Sequence, residues 1–136
     1  MKFADTSWWV AWSLPSDRRH ADALAVLRHV GRSEQILTTN AIVGETWTFL
    51  RRKDCHRTAV AFVDRVATLA EQSRLVVHRI STEQEDGAWR WLRRRDEREC
   101  SFVDATSFRV MRDRRLSEAL AFDDDFAAAG FVELRP

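Results

Sequence analysis

Four segments of this chain carry acids where an acid has little ordinary reason to be. Asp5 closes the apolar run Met1-Lys2-Phe3-Ala4, and Glu45 follows Ala41-Ile42-Val43-Gly44. Asp104 follows Phe102-Val103, and Asp123, Asp124 and Asp125 lie between Ala121-Phe122 and Phe126. An unpaired carboxylate among apolar side chains is costly. Two of them ~4 Å apart repel by about 4 kcal/mol at an effective dielectric near 20. Four or five brought together therefore need Arg or Lys partners, protonation or a metal ion. An all-oxygen set without a His or Cys cluster suits Mg2+ or Mn2+ better than zinc. Such an ion readily takes phosphate oxygens. The chemistry it would support is in-line attack of water on a phosphodiester with the leaving oxygen stabilised, and Asp104 or Glu45 could orient the water as a base.

The elements around these acids decide whether they meet. Met1 to Ala4 reads as a short buried strand, and a helix carrying Trp8, Trp9 and Trp12 follows, stopping near Leu14-Pro15. The spacing of Ala23, Leu24 and Leu27 predicts a helix over 20–30 with Gly31 as its stop. Gln35 to Thr39 is a strand candidate, and Asn40 is the expected N-cap of a helix from Ala41 to about Lys53. A second amphipathic helix covers 59–69, and the run Leu75 to Ile80 reads as a strand. Ser81 with Gln84 forms a capping box for a helix reaching about Arg95, and Ser101 caps a helix carrying Phe102, Ala105, Phe108 and Met111. Leu120 to Phe122 is expected as a strand, Asp125 to Ala129 as a turn or short helix, and Phe131 to Leu134 as the last strand. Strands alternating with helices predict a three-layer α/β/α fold with a central, mainly parallel sheet, in a single domain over 1–136.

In such sheets ligands bind beyond the carboxyl ends of the strands, near a reversal of strand order. Asp5 and Asp123 follow strands, while Glu45 and Asp104 lie in the first turns of helices, so all four reach one sheet edge. Each also has an ordinary reading: Asp5 as a helix cap, Glu45 as a solvated helix residue, Asp104 as the third position of a capping box, and the Asp triplet as a turn. The joint placement favours a shared site.

These residues resemble the PIN domain, specifically the VapC toxin family of bacterial toxin–antitoxin pairs. The resemblance covers nearly the whole chain. It rests on Phe3-Ala4-Asp5-Thr6-Ser7, Gly44-Glu45-Thr46-Trp47 after Thr39-Asn40, Phe102-Val103-Asp104-Ala105, and Phe122-Asp123-Asp124-Asp125-Phe126. It implies a Mg2+-dependent endoribonuclease, with Mn2+ as a substitute, that cuts structured RNA and stops translation. The stretches Gly-Glu-Thr-Trp-Thr and Ser-Phe-Val-Asp-Ala-Thr-Ser-Phe are most similar to members acting on the sarcin–ricin loop of 23S rRNA, with tRNA as the next substrate. Carried over by position, Asp5, Glu45, Asp104 and Asp123 are the catalytic and metal acids, Asp125 is a fifth ligand, and Asp124 fills a variable place. Thr6 matches the small hydroxyl residue beside the first acid. Many relatives have Thr or Ser two residues before the fourth acid; this chain has Ala121, which removes one hydroxyl from the expected site. A homodimer and a cognate VapB-type antitoxin are implied as well.

The chain has 136 residues and a net charge of +1, so bulk charge does not make it a polyanion binder. The distribution is more informative. Of 22 basic residues only Lys2 and Lys53 are lysine, a bias that fits bidentate phosphate contacts and equally a GC-rich genome. Basic clusters occur at Arg51-Arg52-Lys53 with Arg57, at Arg90, Arg93, Arg94, Arg95 and Arg98, and at Arg112, Arg114 and Arg115. An acidic site needs such banks before RNA can approach, and Arg51 and Arg94 are the substrate-binding candidates; ordinary solvated helix faces are the alternative. Trp89 and Trp91 diverge by roughly 200° on a helix and cannot share one core stripe. Trp8 and Trp12 can stack, and core packing is their default. No segment reads as a signal peptide or a membrane span of ~18 apolar residues. Two isolated thiols, Cys55 and Cys100, fit a reducing cytoplasm. A phosphoacceptor receiver-type signalling domain is the rival reading from another class, but it needs a Lys after a late strand, and neither lysine fits. A non-catalytic RNA-binding module would have no need of converging acids.

Overall fold

Short apolar segments such as Phe3-Ala4 and Ile36-Leu37 can be buried on both faces only if helices cover them, and the chain supplies those helices between strands. The computed structural model describes residues 1–136. In chain order it has β1 (Lys2–Ala4), α1 (Thr6–Ser13), α2 (His20–Val30), β2 (Ile36–Thr39), α3 (Asn40–Lys53), α4 (His56–Glu71) and β3 (Leu75–His78). Then follow α5 (Thr82–Arg94), α6 (Phe102–Asp113), β4 (Glu118–Leu120), α7 (Asp125–Ala128) and β5 (Val132–Glu133). The strands form one five-stranded sheet in the order β3-β2-β1-β4-β5. Every neighbouring pair is parallel, so the expected mainly parallel sheet is wholly parallel. The chain runs outward from β1 through β2 to β3 and then returns to place β4 on the other side of β1. Strand order thus reverses between β1 and β4, and a crevice opens there beyond their carboxyl ends.

Two groups of helices pack around the sheet, α1 to α4 in one and α5 to α7 in the other, with a smaller contact between α3 and α6. Trp8, Trp9 and Trp12 lie in the core of the first group. Trp8 stacks on Trp12 with ring centroids 5.6 Å apart, and Trp9 meets Phe62 edge-on at 5.7 Å. Two of these indole N–H groups are satisfied in the core: Trp8 donates to the Ala23 carbonyl and Trp9 to the Thr38 hydroxyl, each at 3.3 Å. A second aromatic cluster joins Phe3, Phe108, Phe126 and Phe131 across β1, α6 and α7. Gly87 leaves room for the Arg109 guanidinium of α6 to lie against α5, where a Cβ would collide with it.

Several expected boundaries move. The strand expected over 75–80 ends at His78, because the Ile80 N–H turns to the Asn40 side chain, and the last strand covers only Val132–Glu133 of the expected 131–134. The β4 strand covers Glu118–Leu120, not Leu120–Phe122. Its partner β1 ends at Ala4, which pairs with Leu120. Asp5 N–H donates the last rung to the Leu120 carbonyl, and the next free N–H, that of Phe122, turns instead to the Ser7 hydroxyl. The cap of α3 is Thr39 rather than Asn40: Thr39 keeps extended backbone and its hydroxyl accepts the Ile42 N–H at 3.1 Å. Asn40 is already helical, and its side-chain oxygen accepts the Ile80 N–H across the strand ends at 3.0 Å. The second amphipathic helix, α4, is longer than its apolar stripe. Both predicted capping boxes, Ser81 with Gln84 and Ser101 with Asp104, are formed.

Candidate metal centre

Asp5 comes directly off β1 and Asp123 off the loop after β4, on the two sides of the reversal in strand order. Asp104 reaches the same crevice from the first turn of α6. One carboxylate oxygen from each of the three lies within 4.8 Å of the others. Asp5 is only 1% exposed, whereas Asp123 stands at the open side. The crevice has a volume of about 470 Å3, and Glu45, Thr6 and Phe49 line it with the three aspartates.

Each aspartate is held by its own neighbourhood. Asp5 caps α1, with Oδ2 accepting the Ser7 N–H at 3.1 Å and the Ser7 hydroxyl at 2.7 Å. Asp104 completes its capping box by accepting the Ser101 N–H on Oδ2 at 3.0 Å. Asp123 accepts the Asp125 N–H on Oδ1 at 3.2 Å. That turn requires a left-handed residue between them, and Asp124 supplies it with φ of 65°; a short polar side chain tolerates this region better than most. Each carboxylate thus commits one oxygen to local structure and keeps the other free. The ordinary readings of Asp5 and Asp104 as capping residues are correct, and they coexist with convergence.

The electrostatics record the crowding. Asp5 is held well above the usual carboxylate range, first by burial, then by Asp123, against the pull of the Ser7 hydrogen bonds. Burial also raises Asp104, opposed by its Ser101 hydrogen bond, with the Asp125 charge pushing further upward. Asp123 is pushed up to about 6, again chiefly by burial. Glu45 is raised by burial and by Asp104, while the neighbouring Thr6 hydroxyl works downward. That hydroxyl oxygen is buried and lacks a hydrogen bond of proper geometry, leaving it available to another group in the crevice. A set of hard oxygen donors that repel one another and retain free lone pairs fits a divalent cation.

Asp125 stands differently from the other candidates. Its carboxylate faces Arg98, which donates Nη2 at 2.7 Å and Nε at 3.0 Å to one oxygen. Asp124 is mostly solvent-exposed and 3.5 Å from Arg135. Arg51 and Arg94 are exposed near the ends of α3 and α5. It is Arg52 and Lys53, with Thr48 and Phe49, that line an open groove leading away from Glu45. Arg18 and Arg19 line the metal crevice from the loop before α2. Sequence reasoning passed over them, although Pro15-Ser16-Asp17-Arg18-Arg19 marks a loop leaving α1 at the sheet edge. Ser7 was also missed: its hydroxyl joins Asp5 to the Phe122 N–H, linking the β1 and β4 loops where Ala121 offers no side-chain hydroxyl.

The PIN domain family matches residues 2–132, nearly the whole chain. The chain belongs to the PIN domain family. This PIN domain is 46% identical over 136 residues to the 23S rRNA-specific endonuclease VapC20 of Mycobacterium tuberculosis, in both strain CDC 1551 / Oshkosh and strain H37Rv. The match covers 100% of this chain and 99% of the relative. The crystal structure of Mycobacterium tuberculosis VapC20, described as a sarcin–ricin loop cleaving toxin, superimposes on this PIN domain with a TM-score of 0.91 at 44% identity, covering all of both chains. The receiver alternative finds no support in the same geometry: Lys2 is paired with Glu118 at 2.9 Å at the start of β1, the end of the strand opposite the acids.

Proposed function

We propose that this chain, as one domain over residues 1–136, is a Mg2+-dependent endoribonuclease and the toxin of a toxin–antitoxin pair. Its substrate is the sarcin–ricin loop of 23S rRNA, and its effect is to inhibit translation in the cytoplasm. The observation that carries this reading is the convergence of Asp5, Asp104 and Asp123 at the reversal in strand order. Full-length similarity to a 23S rRNA-specific endonuclease favours that RNA over tRNA.

In this reading Asp5, Asp104 and Asp123 would hold the ion, and Glu45 completes the acidic wall. A bound Mg2+ or Mn2+ would supply charge neutralisation at the phosphate and at the leaving oxygen. Glu45 and Asp104 orient a water in line with the scissile P–O bond, and Glu45, raised by burial and by its acidic neighbour, takes up its proton. The Thr6 hydroxyl donates to a substrate oxygen in the crevice. Asp125 acts beside the ligand set, steadied by Arg98. Arg51 and Arg94 contribute to the positive banks, together with Arg18, Arg52 and Lys53.

Two protein partners belong to the same reading. An apolar groove of about 440 Å3 between α1, α2 and α4 supports a VapB-type antitoxin segment docking there. Arg65 lies 3.5 Å over the Trp12 ring in that groove and has no carboxylate partner, which favours an acidic or carbonyl-rich peptide. Exposed Val60 and Val63 on α4 offer apolar surface for a homodimer.

The decisive experiment maps RNA ends after brief exposure of bacterial ribosomes to the protein. We expect one new end inside the sarcin–ricin loop, lost in EDTA, restored by Mg2+ or Mn2+, and absent with Asp5→Asn. Unchanged cleavage in chelator or by Asp5→Asn would remove the metal mechanism, and a new end only in tRNA would replace the substrate.

A further inference from the structure

Beside the metal crevice, Arg95 at the end of α5, Arg98 in the α5–α6 loop and Arg112 on α6 line a separate cavity with Trp91 and Asp125. Its volume of about 80 Å3 exceeds the ~10–15 Å3 that one water needs. The two acids on its wall are already engaged: Glu97 accepts from Arg95 at 3.3 Å and Asp125 from Arg98 at 2.7 Å. Two donors remain without an acceptor. The buried Trp91 indole N–H has no hydrogen-bond partner. Arg112 makes no ion pair, lying instead about 5.6 Å over the Phe131 ring, and its charge is disfavoured by partial burial and by the Arg95 and Arg109 guanidiniums. An unpaired Arg112 beside the Arg95 and Arg98 guanidiniums calls for an acceptor that carries negative charge and several oxygens.

We propose that this cavity binds a backbone phosphate of the RNA, distinct from the phosphate that is cut. The inference rests on the ribonuclease reading above. Arg112 is the primary donor, and Arg95 flanks the phosphate from above the Trp91 ring, 5.7 Å from its centroid; the Trp91 indole N–H is closed off behind the cavity wall and reports on what occupies it. Arg98 ties the two sites together, because Asp125, its partner, also acts on Asp104 and Asp123 through its charge. A phosphate held here sets the register of the strand across the crevice. Arg112 is therefore a positioning residue.

The test is an NMR titration of 15N-labelled full-length protein in chelator, so that RNA is bound without being cut. The Trp91 indole resonance, assigned with Trp91→Phe, is followed on addition of an RNA stem–loop with the sarcin–ricin sequence or of inorganic phosphate. We expect the RNA to move it at lower concentration than free phosphate, and Arg112→Gln to abolish both responses. An indole that moves with neither probe overturns the site. One that moves with phosphate but not with RNA overturns the backbone assignment. In cleavage assays with Mg2+, Arg112→Gln should raise KM about tenfold, with the change carried by KM rather than kcat, and lower the salt dependence of RNA binding by about one phosphate contact. Arg112→Lys should recover most of the salt dependence. A purely structural Arg112 would alter stability and leave the salt dependence untouched, which would overturn the proposal. If the parent protein cuts no RNA, the ribonuclease reading fails, and the indole titration still decides the cavity.

Discussion

Asp5, Asp104 and Asp123 are raised above the usual carboxylate range because burial and mutual repulsion disfavour three ionised groups in one crevice. In the unfolded chain each titrates near ~4. Between that value and the folded one, the folded protein holds more protons than the unfolded one, so stability falls as pH rises. These groups therefore favour the folded state fully below about pH 4; the Asp123 part of that contribution is lost as pH passes through about 6, and the Asp5 and Asp104 parts are lost as pH rises through their own raised values. A bound divalent cation reverses the penalty by matching the ionised form. We expect Mg2+ or Mn2+ to raise Tm strongly at pH 8 and little at pH 5, with Asp123→Asn flattening the difference; scanning calorimetry with and without the ion measures this. Equal shifts at both pH values would argue against the three acids as ligands.

At the scale of elements, the site is built by helix caps as much as by strands. Ser101 opens α6 and at the same time fixes the Asp104 carboxylate through its N–H. Ser101→Ala should cost about 1 kcal/mol of stability, the usual value of a lost cap, which urea denaturation will measure. The N–H contact to Asp104 survives that change, so RNA cleavage should fall less than it does for Asp104→Asn. The capping boxes were legible in the sequence because they depend on residues three apart. The all-parallel register was less so: where β4 stops is decided by β1, more than a hundred residues away, and an apolar run such as Leu120-Ala121-Phe122 carries no mark of where its partner ends. The four acids were legible as types in order, yet Asp125 was not legible as the partner of Arg98, since that pairing depends on how the α5–α6 loop folds back over α7. Trp89 and Trp91 diverge as their spacing required: Trp89 is 48% exposed and lies against Phe102, while Trp91 turns in to Phe108.

Across the whole molecule, the crevice depends on an aromatic core that ties β1, α6 and α7 into one body. Phe126 is fully buried and meets Phe3 at 5.9 Å and Phe108 at 5.0 Å, joining the elements that carry Asp5, Asp104 and Asp123. Phe126→Ala should destabilise the protein by about 3–5 kcal/mol through the cavity it leaves. It should also weaken Mg2+ binding although no ligand has changed. Urea denaturation and a metal titration on the same sample measure the two effects, and metal binding at the parent level would show that the three acids are placed independently of this core. No helix of the protein is long and apolar enough to cross a membrane.

The two capping carboxylates have a further electrostatic meaning. Asp5 and Asp104 sit at the N-termini of α1 and α6, so both helices direct the positive ends of their dipoles into the crevice. Each end acts as about half an elementary charge. Together they offset roughly one of the three aspartate charges with a field that neither dissociates nor depends on ionic supply. Asparagine at position 5 preserves the cap while removing the charge, so Asp5→Asn leaves that positive field in place. Such a variant should hold an RNA phosphate in the crevice more tightly than the active protein does without its ion, making it the form best suited to trapping a substrate complex.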